Sequence, residues 1–333
     1  MALKAALVGL GWWGRHLLGQ MHASPALQFV AAIGSRDAHR PVAEEFGMPF
    51  STDYEAMLAC TDIDLVVIAT PHRLHAQQVT SAAAHGKHVF CEKPLAMSRE
   101  DARACIEACA RAGVRLGTSH ERRFEAGVIA LAKLVRDGEL GAIVHAEANF
   151  SHDKLASLAA DNWRVVESDA VPLAMTGTAI HMTDLLADLL GEIEEVFATA
   201  PAREVSQAGR TLSLQVRFAT GATGYINSIL ETPLYMRVAM YGAQGWAELR
   251  NADHPDSKGA SHLCVRRADG TERWAAFEWN DSVRDNIECF CAAIGGQANY
   301  PVSTNQMLSN VAVMEAVAQS LQHGRAVRIV PSP

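Results

Sequence analysis

The residues Gly9-Leu10-Gly11-Trp12-Trp13-Gly14 carry the first chemical signal in this 333-residue chain. They follow an apolar strand and open a helical pattern, the context in which such a spacing binds phosphate. A glycine at 9 permits a tight turn, one at 11 lets a pyrophosphate reach the backbone, and one at 14 lets helix and strand pack closely. Free N–H groups and the dipole at that helix end favour the same anion. Gly9, Gly11 and Gly14, with Trp12 and Trp13 between them, are therefore candidates for holding a dinucleotide. At the end of the next strand, where such sites place an acid for the ribose 2′-hydroxyl, the chain reads Gly34-Ser35-Arg36-Asp37. A hydroxyl and a guanidinium at Ser35 and Arg36 suit a 2′-phosphate, so NADP is expected to be preferred over NAD. Asp37 is the competing ribose ligand.

The elements that must position these groups follow from hydrophobic periodicity. Ala5–Leu10, Phe29–Ile33 and Leu65–Ala69 are short apolar runs of the kind buried on both faces of a parallel sheet. Trp13–His22, Arg40–Phe46, Ala76–His85 and Arg99–Ala112 read as helices, with Gly47, Gly86 and Gly113 where C-terminal caps belong. This alternation predicts an α/β protein with a doubly wound parallel sheet. From about Ile143 the pattern changes. Ile143–Phe150, Leu212–Phe218, Ala222–Leu230, Tyr235–Tyr241, Trp246–Leu249 and His262–Arg266 look like longer strands of a mostly antiparallel sheet with few helices. A helix ending near Gly191 and another over about Asn305–His323 complete the reading.

Composition sets the partners. The chain is 49% hydrophobic and 20% charged, ordinary for a globular protein, and its length exceeds what one core serves, so two domains are expected. A net charge of -8 supplies no basic field for nucleic acid or anionic lipid, which leaves a small molecule as the partner. No apolar run approaches the roughly 18 residues of a membrane span, and the opening segment is strand-like rather than a signal peptide, so the cytoplasm is expected. The seven cysteines form no CxxC pair and read as reduced thiols. The pairs His72/His75 and His85/His88 lack further ligands, so no metal is expected.

Two more segments complete a recognisable set. Asp64-Leu-Val-Val-Ile-Ala-Thr70-Pro71-His72 is followed by Gly86-Lys87-His88-Val89-Phe90-Cys91-Glu92-Lys93-Pro94. With the glycine loop, and with Gly117-Thr-Ser-His-Glu-Arg-Arg-Phe124, Trp163-Arg164, Ile180-His181-Met-Thr-Asp184 and Tyr241-Gly-Ala-Gln-Gly-Trp246, the chain resembles the glucose–fructose oxidoreductase/inositol dehydrogenase (Gfo/Idh/MocA) family over nearly its whole length. The resemblance implies an N-terminal Rossmann domain, expected over 1–121, and a C-terminal α/β domain with an open sheet, expected over 122–333, that binds substrate and mediates oligomerisation, as a dimer or tetramer. It implies hydride transfer between nicotinamide C4 and a hydroxyl or carbonyl carbon of a sugar, polyol or cyclic diol. Lys93 would contact the reacting oxygen and stabilise its charge. Glu92 would hold the turn and the nicotinamide ribose, and Thr70, Pro71, His72 and His75 would line the cofactor site.

The family's second element, D-x-x-x-H-x-x-D, is present only in part. His181 and Asp184 match, but Gly177 stands where the first aspartate belongs. His181 suits an acid/base role. Asp184, one helical turn on, is the expected partner that would orient it, with Thr176 as the other polar neighbour. Arg123, Trp163, Arg164 and Thr176 are candidates for substrate contact, as are Tyr235 and Arg237. Two other readings fit the same residues: a cofactor-binding sensor on this fold, and an enzyme that recycles a tightly held cofactor.

Overall fold

The structure, a computed structural model, describes residues 2–168, 170–202, 205 and 209–330. The chain forms two compact units: residues up to Glu121 together with Asp281–Val311, and Arg122–Asn280 together with Ala312 onward.

In the first unit, β1 (Leu3–Val8), β2 (Leu27–Ile33), β3 (Phe50–Ser51), β4 (Leu65–Ile68), β5 (His88–Cys91) and β6 (Leu116–Thr118) form one parallel sheet in the order β3-β2-β1-β4-β5-β6. This is the doubly wound order, with the reversal between β1 and β4. Leu65–Ile68 are fully buried, as expected of a sheet covered on both faces. Helices α1 (Trp12–Met21), α2 (Arg40–Glu45), α3 (Tyr54–Leu58), α4 (His75–Ala84) and α5 (Arg99–Ala112) connect the strands. The α5 boundaries are written into the sequence. Ser98 Oγ accepts from the Asp101 N–H at 3.1 Å, two acids occupy the first turn, and Gly113 takes a left-handed φ of +68° at the end.

The single expected boundary after residue 121 is incomplete, because the segment Asp281–Val311 returns to the first unit. Its helix α9 (Ser282–Ile294), which was not anticipated, buries Val283, Ile287, Phe290 and Cys291 in the core that holds Leu17, Leu65 and Phe90. The Phe90 and Phe290 rings lie 5.5 Å apart. A Cβ on Gly117 would fall 2.7 Å from Phe290 Cδ2, so β6 has no room there for any other residue. The Tyr300 hydroxyl, in the same segment, donates to the Thr118 carbonyl at 2.7 Å.

In the second unit, among the described residues, nine strands form one sheet: β7 (Ile143–Ser151), β8 (Ile193–Thr199), β9 (Thr211–Phe218), β10 (Thr223–Ile229), β11 (Tyr235–Gly242), β12 (Gly245–Asn251), β13 (Ser261–Arg267), β14 (Glu272–Phe277) and β15 (Val327–Arg328). Their order is β14-β13-β12-β11-β7-β10-β9-β8-β15. Only β7 and β10 pair in parallel, so the sheet is mostly antiparallel as expected. Buried and open residues alternate along β9 and β10, which gives the sheet one packed face and one open face. This unit carries more helix than expected: α6 (Ala126–Arg136), α7 (Trp163–Glu167) and α8 (Ile180–Leu190), with a π-helical turn over Met175–Ala179 running directly into α8. Helix α10 (Thr304–His323) is counted with the first unit as far as Val311 and with the second beyond it. Among the described residues no helix is long and apolar enough to cross a membrane.

Candidate functional site

In the first unit the glycine loop has the geometry its spacing predicts. Gly9 has φ +99°, and a Cβ there would meet the Ala69 carbonyl oxygen at 2.5 Å. A Cβ on Gly14 would lie 1.9 Å from the Gly9 carbonyl oxygen, so only glycine lets α1 start this close to β1. Gly11 caps α1, and among the described residues nothing beyond its chain neighbours lies within 4 Å of the place its Cβ would take. That helix end has no side-chain cap and no acid in its first turn. Its leading N–H groups therefore face an open approach, which fits the diphosphate of a dinucleotide. Trp12 is exposed, with its ring 5.5 Å from that of Trp13.

Ser35 and Arg36 are exposed at the end of β2, where Arg36 takes an extended backbone before a 3-10 turn. Asp37 Oδ1 accepts from Arg40 Nη2 at 2.8 Å, so the competing carboxylate already has a cationic neighbour. After β4, Thr70 Oγ1 donates to Gln78 Oε1 at 2.5 Å. His75 is fully buried. Its Nδ1 lies 2.7 Å from the Pro94 carbonyl oxygen and its Nε2 lies 3.0 Å from that of Thr70. Burial lowers its pKa and the two carbonyls oppose that shift. His75, expected to line the cofactor site, ties together the two loops that carry Thr70 and Pro94. His72 packs edge-on against it at 5.7 Å.

Lys93 is half-buried at the turn after β5, joined to Pro94 by a cis peptide bond. Glu92 beside it is buried. Burial first, and then the charge of Glu121, push its carboxyl up to about 7 against the opposing effects of Trp13, Lys93 and Ser119. Ser119 Oγ donates to Glu121 Oε2 at 3.3 Å.

In the second unit, His181 is buried on α8 with its ring 6.0 Å from that of Phe150 on β7. Asp184 is buried on the same helix, but both of its oxygens accept from Arg123: Nε to Oδ2 at 2.7 Å and Nη2 to Oδ1 at 2.5 Å. Arg123 Nη1 also donates to Asp188 at 2.9 Å, and Asp188 takes a second bond from Arg136 at 2.8 Å. Asp184, expected to orient His181, is thus also the bidentate partner of Arg123, and Arg123, expected to meet substrate, also binds Asp188. Such a bidentate buried pair fixes geometry strongly. Thr176 Oγ1, in the π-turn, donates to the Leu173 carbonyl just ahead of it at 3.4 Å. Trp163 and Arg164 sit together on α7, the guanidinium 4.2 Å from the ring centre. Tyr235 and Arg237 do not share the face that holds Phe150. Strand alternation turns them to the open face, where Arg237 is bound to Glu147 and Glu248.

One cluster escaped the sequence reading. Around Phe150 stand His152 at 5.5 Å and His254 at 5.8 Å, with His152 and His254 5.2 Å apart. Burial pushes the His254 pKa down to about 3, only partly opposed by Asp256, so that ring stays neutral. Arg122 pairs with Glu125 at 2.8 Å and Asp256 at 3.3 Å in the same cluster. The one available signal was the polar run Ser151-His152-Asp153-Lys154 ending a strand. Among the described residues no group of three or more His, Cys, Asp or Glu is placed to hold a metal.

A doubly wound sheet with an uncapped glycine-loop helix defines a dinucleotide-binding protein, and comparison with known proteins defines it further. Residues 3–120 match the family described as "Oxidoreductase family, NAD-binding Rossmann fold", and residues 128–248 match the "GFO/IDH/MocA C-terminal domain". The D-xylose 1-dehydrogenase (NADP(+)) 2 of Haloferax volcanii is 31% identical over 319 residues, which cover 94% of this chain and 97% of the relative. The inositol 2-dehydrogenase of Rhizobium meliloti is 28% identical over 348 residues, covering 99% and 100%. The crystal structure of the aldose-aldose oxidoreductase from Caulobacter crescentus, complexed with glycerol, shares the fold with a TM-score of 0.86 at 24% identity, covering 98% of this chain and 100% of that one. The chain belongs to the Gfo/Idh/MocA family and is an NAD(P)-dependent dehydrogenase or reductase.

Proposed function

We propose that the protein prefers NADP and moves a hydride to or from a hydroxyl-bearing carbon of a sugar, polyol or cyclic diol, with His181 as the acid/base and Lys93 steadying the substrate oxygen. The observation that carries the cofactor half is the open, uncapped helix end at Gly11. Exposed Ser35 and Arg36 support the preference for a 2′-phosphate, and the Asp37–Arg40 pair supports it by occupying the rival carboxylate. The substrate class is supported by relatives that are a xylose dehydrogenase and an inositol dehydrogenase.

A bound nicotinamide would supply the hydride acceptor for oxidation and the hydride donor for reduction. The His181 imidazole receives the hydroxyl proton as the substrate is oxidised, a task suited to a side chain that can both take and give a proton. The Lys93 ammonium offsets negative charge building on the oxygen. Asp184, through Arg123, fixes the helix that carries His181 and is a positioning residue. We place the enzyme in the cytoplasm, in keeping with its seven free thiols, as a dimer or tetramer built on the open face of the sheet.

The test is a screen of sugars, polyols and cyclic diols with NADP⁺ and NAD⁺, followed by absorbance of the reduced nicotinamide. Turnover with NADP⁺ on at least one such substrate is expected. No turnover on any of them would overturn the proposal.

A further inference from the structure

The π-turn Met175–Ala179 leads straight into α8, whose second residue is His181. A π-turn fits an extra residue into a helix and so resets the direction of everything after it, and it persists only where its surroundings hold it. Here the hold comes from the neighbouring sheet. Ser228 on β10 is fully buried, and its hydroxyl donates to the Ala174 carbonyl at 3.0 Å, at the start of the turn. The same oxygen is in a short hydrogen bond with Thr178 Oγ1, near the end of the turn. A hydroxyl has one proton, so Ser228 gives its own to Ala174 and receives that of Thr178. One buried oxygen therefore grips both ends of the π-turn.

The atoms nearest to a Cβ on Gly177 would be those of Leu155 and Leu230, at 3.4 and 3.5 Å. Phe150, whose ring faces His181, lies on β7, the strand paired in parallel with β10. The anchor of the turn and the ring beside His181 thus come from adjacent strands of one sheet, the rigid support a positioned side chain needs.

We infer that the hydroxyl pair Thr178–Ser228 is a device that sets the position of His181 from the N-terminal side of α8, both residues acting as positioning residues beside the Arg123–Asp184 pair. The inference rests on the reading of His181 as the acid/base. It is tested with Ser228→Ala, Thr178→Val and Thr178→Ser in the full chain labelled with ¹⁵N-histidine, the His181 ring signals being assigned by their loss in His181→Ala. Ser228→Ala and Thr178→Val should move the His181 ring signals and their pH titration. They should lower kcat roughly 10- to 100-fold, the scale of a small misplacement, with dinucleotide affinity and KM unchanged. Thr178→Ser, which keeps the hydroxyl, should restore the parent behaviour. A folded Ser228→Ala or Thr178→Val with parental ring signals and kcat overturns the inference. If Ser228→Ala does not fold, the Thr178→Val and Thr178→Ser comparison decides it on the same readouts. Parental turnover in His181→Ala would instead remove the acid/base reading, while the ring signals would still report whether the pair positions His181.

Discussion

Arg36 stands exposed on an extended backbone at the end of β2, beside Ser35 and ahead of an Asp37 already paired with Arg40. If it meets a 2′-phosphate, Arg36→Ala should erase most of the preference for NADP(H), a loss of about 1.5–3 kcal/mol for one charge-assisted contact. Calorimetry with both cofactors checks this, and equal affinities in the parent would sink it. At Lys93, replacement by Met should lower kcat by roughly 10²–10³ with cofactor binding intact; steady-state kinetics beside dinucleotide titration separate the two effects. Glu92 makes a pH prediction. Its carboxyl is raised from 4.5 to about 7 in the fold, so the folded state holds the proton more tightly than the unfolded state does. The stability linked to that proton is therefore full below about 4.5 and is lost as pH rises through about 7. Glu92→Gln, which cannot ionise, should gain on the parent in thermal unfolding over that window; a constant difference between the two from pH 4.5 to 8 would contradict the assignment.

Among the elements, α9 is where packing can be measured. Phe290 fills the space left by Gly117 and meets Phe90, so Phe290→Ala should cost about 3–5 kcal/mol in denaturant unfolding. A smaller loss would mean that the core collapses around the gap. The same helix shows why part of the fold was legible and part was not. Helix α5 announces itself locally, with Ser98 and two acids at one end and Gly113 at the other. Helix α9 has an equally clear apolar stripe, but its partners Leu17 and Phe90 lie far away in the sequence, so nothing nearby says which unit it joins. The site divides in the same way. Gly9, Gly11 and Gly14 act through their own backbone and were readable from spacing, whereas Asp184 is claimed by Arg123, 61 residues before it. The helical spacing of His181 and Asp184 was visible, but it could not reveal the Arg123 partner. The π-turn before His181 was equally hidden, because its holding group, Ser228, arrives on a strand 50 residues later.

At the scale of the whole molecule, the open face of the nine-stranded sheet presents Tyr225, 47% exposed, with Tyr235 and the Glu147–Arg237–Glu248 row. Exposed tyrosines of this kind suit burial against a second copy. Light scattering should find a dimer or tetramer in the parent, and Tyr225→Glu should shift it towards monomer; a monomeric parent would dispose of the proposal. The return of Asp281–Val311 to the first unit has a consequence for how the protein is made. A ribosome delivers the chain in order, and domains commonly close as they emerge. Here the dinucleotide-binding sheet leaves the ribosome early, yet Val283, Ile287 and Phe290, which complete its core, are translated only after all nine strands but the last of the other sheet. The first unit must therefore wait, with the Phe90 side of its core uncovered, until most of the polypeptide exists. A nascent chain released before that point would carry its glycine loop on a domain that cannot yet be finished.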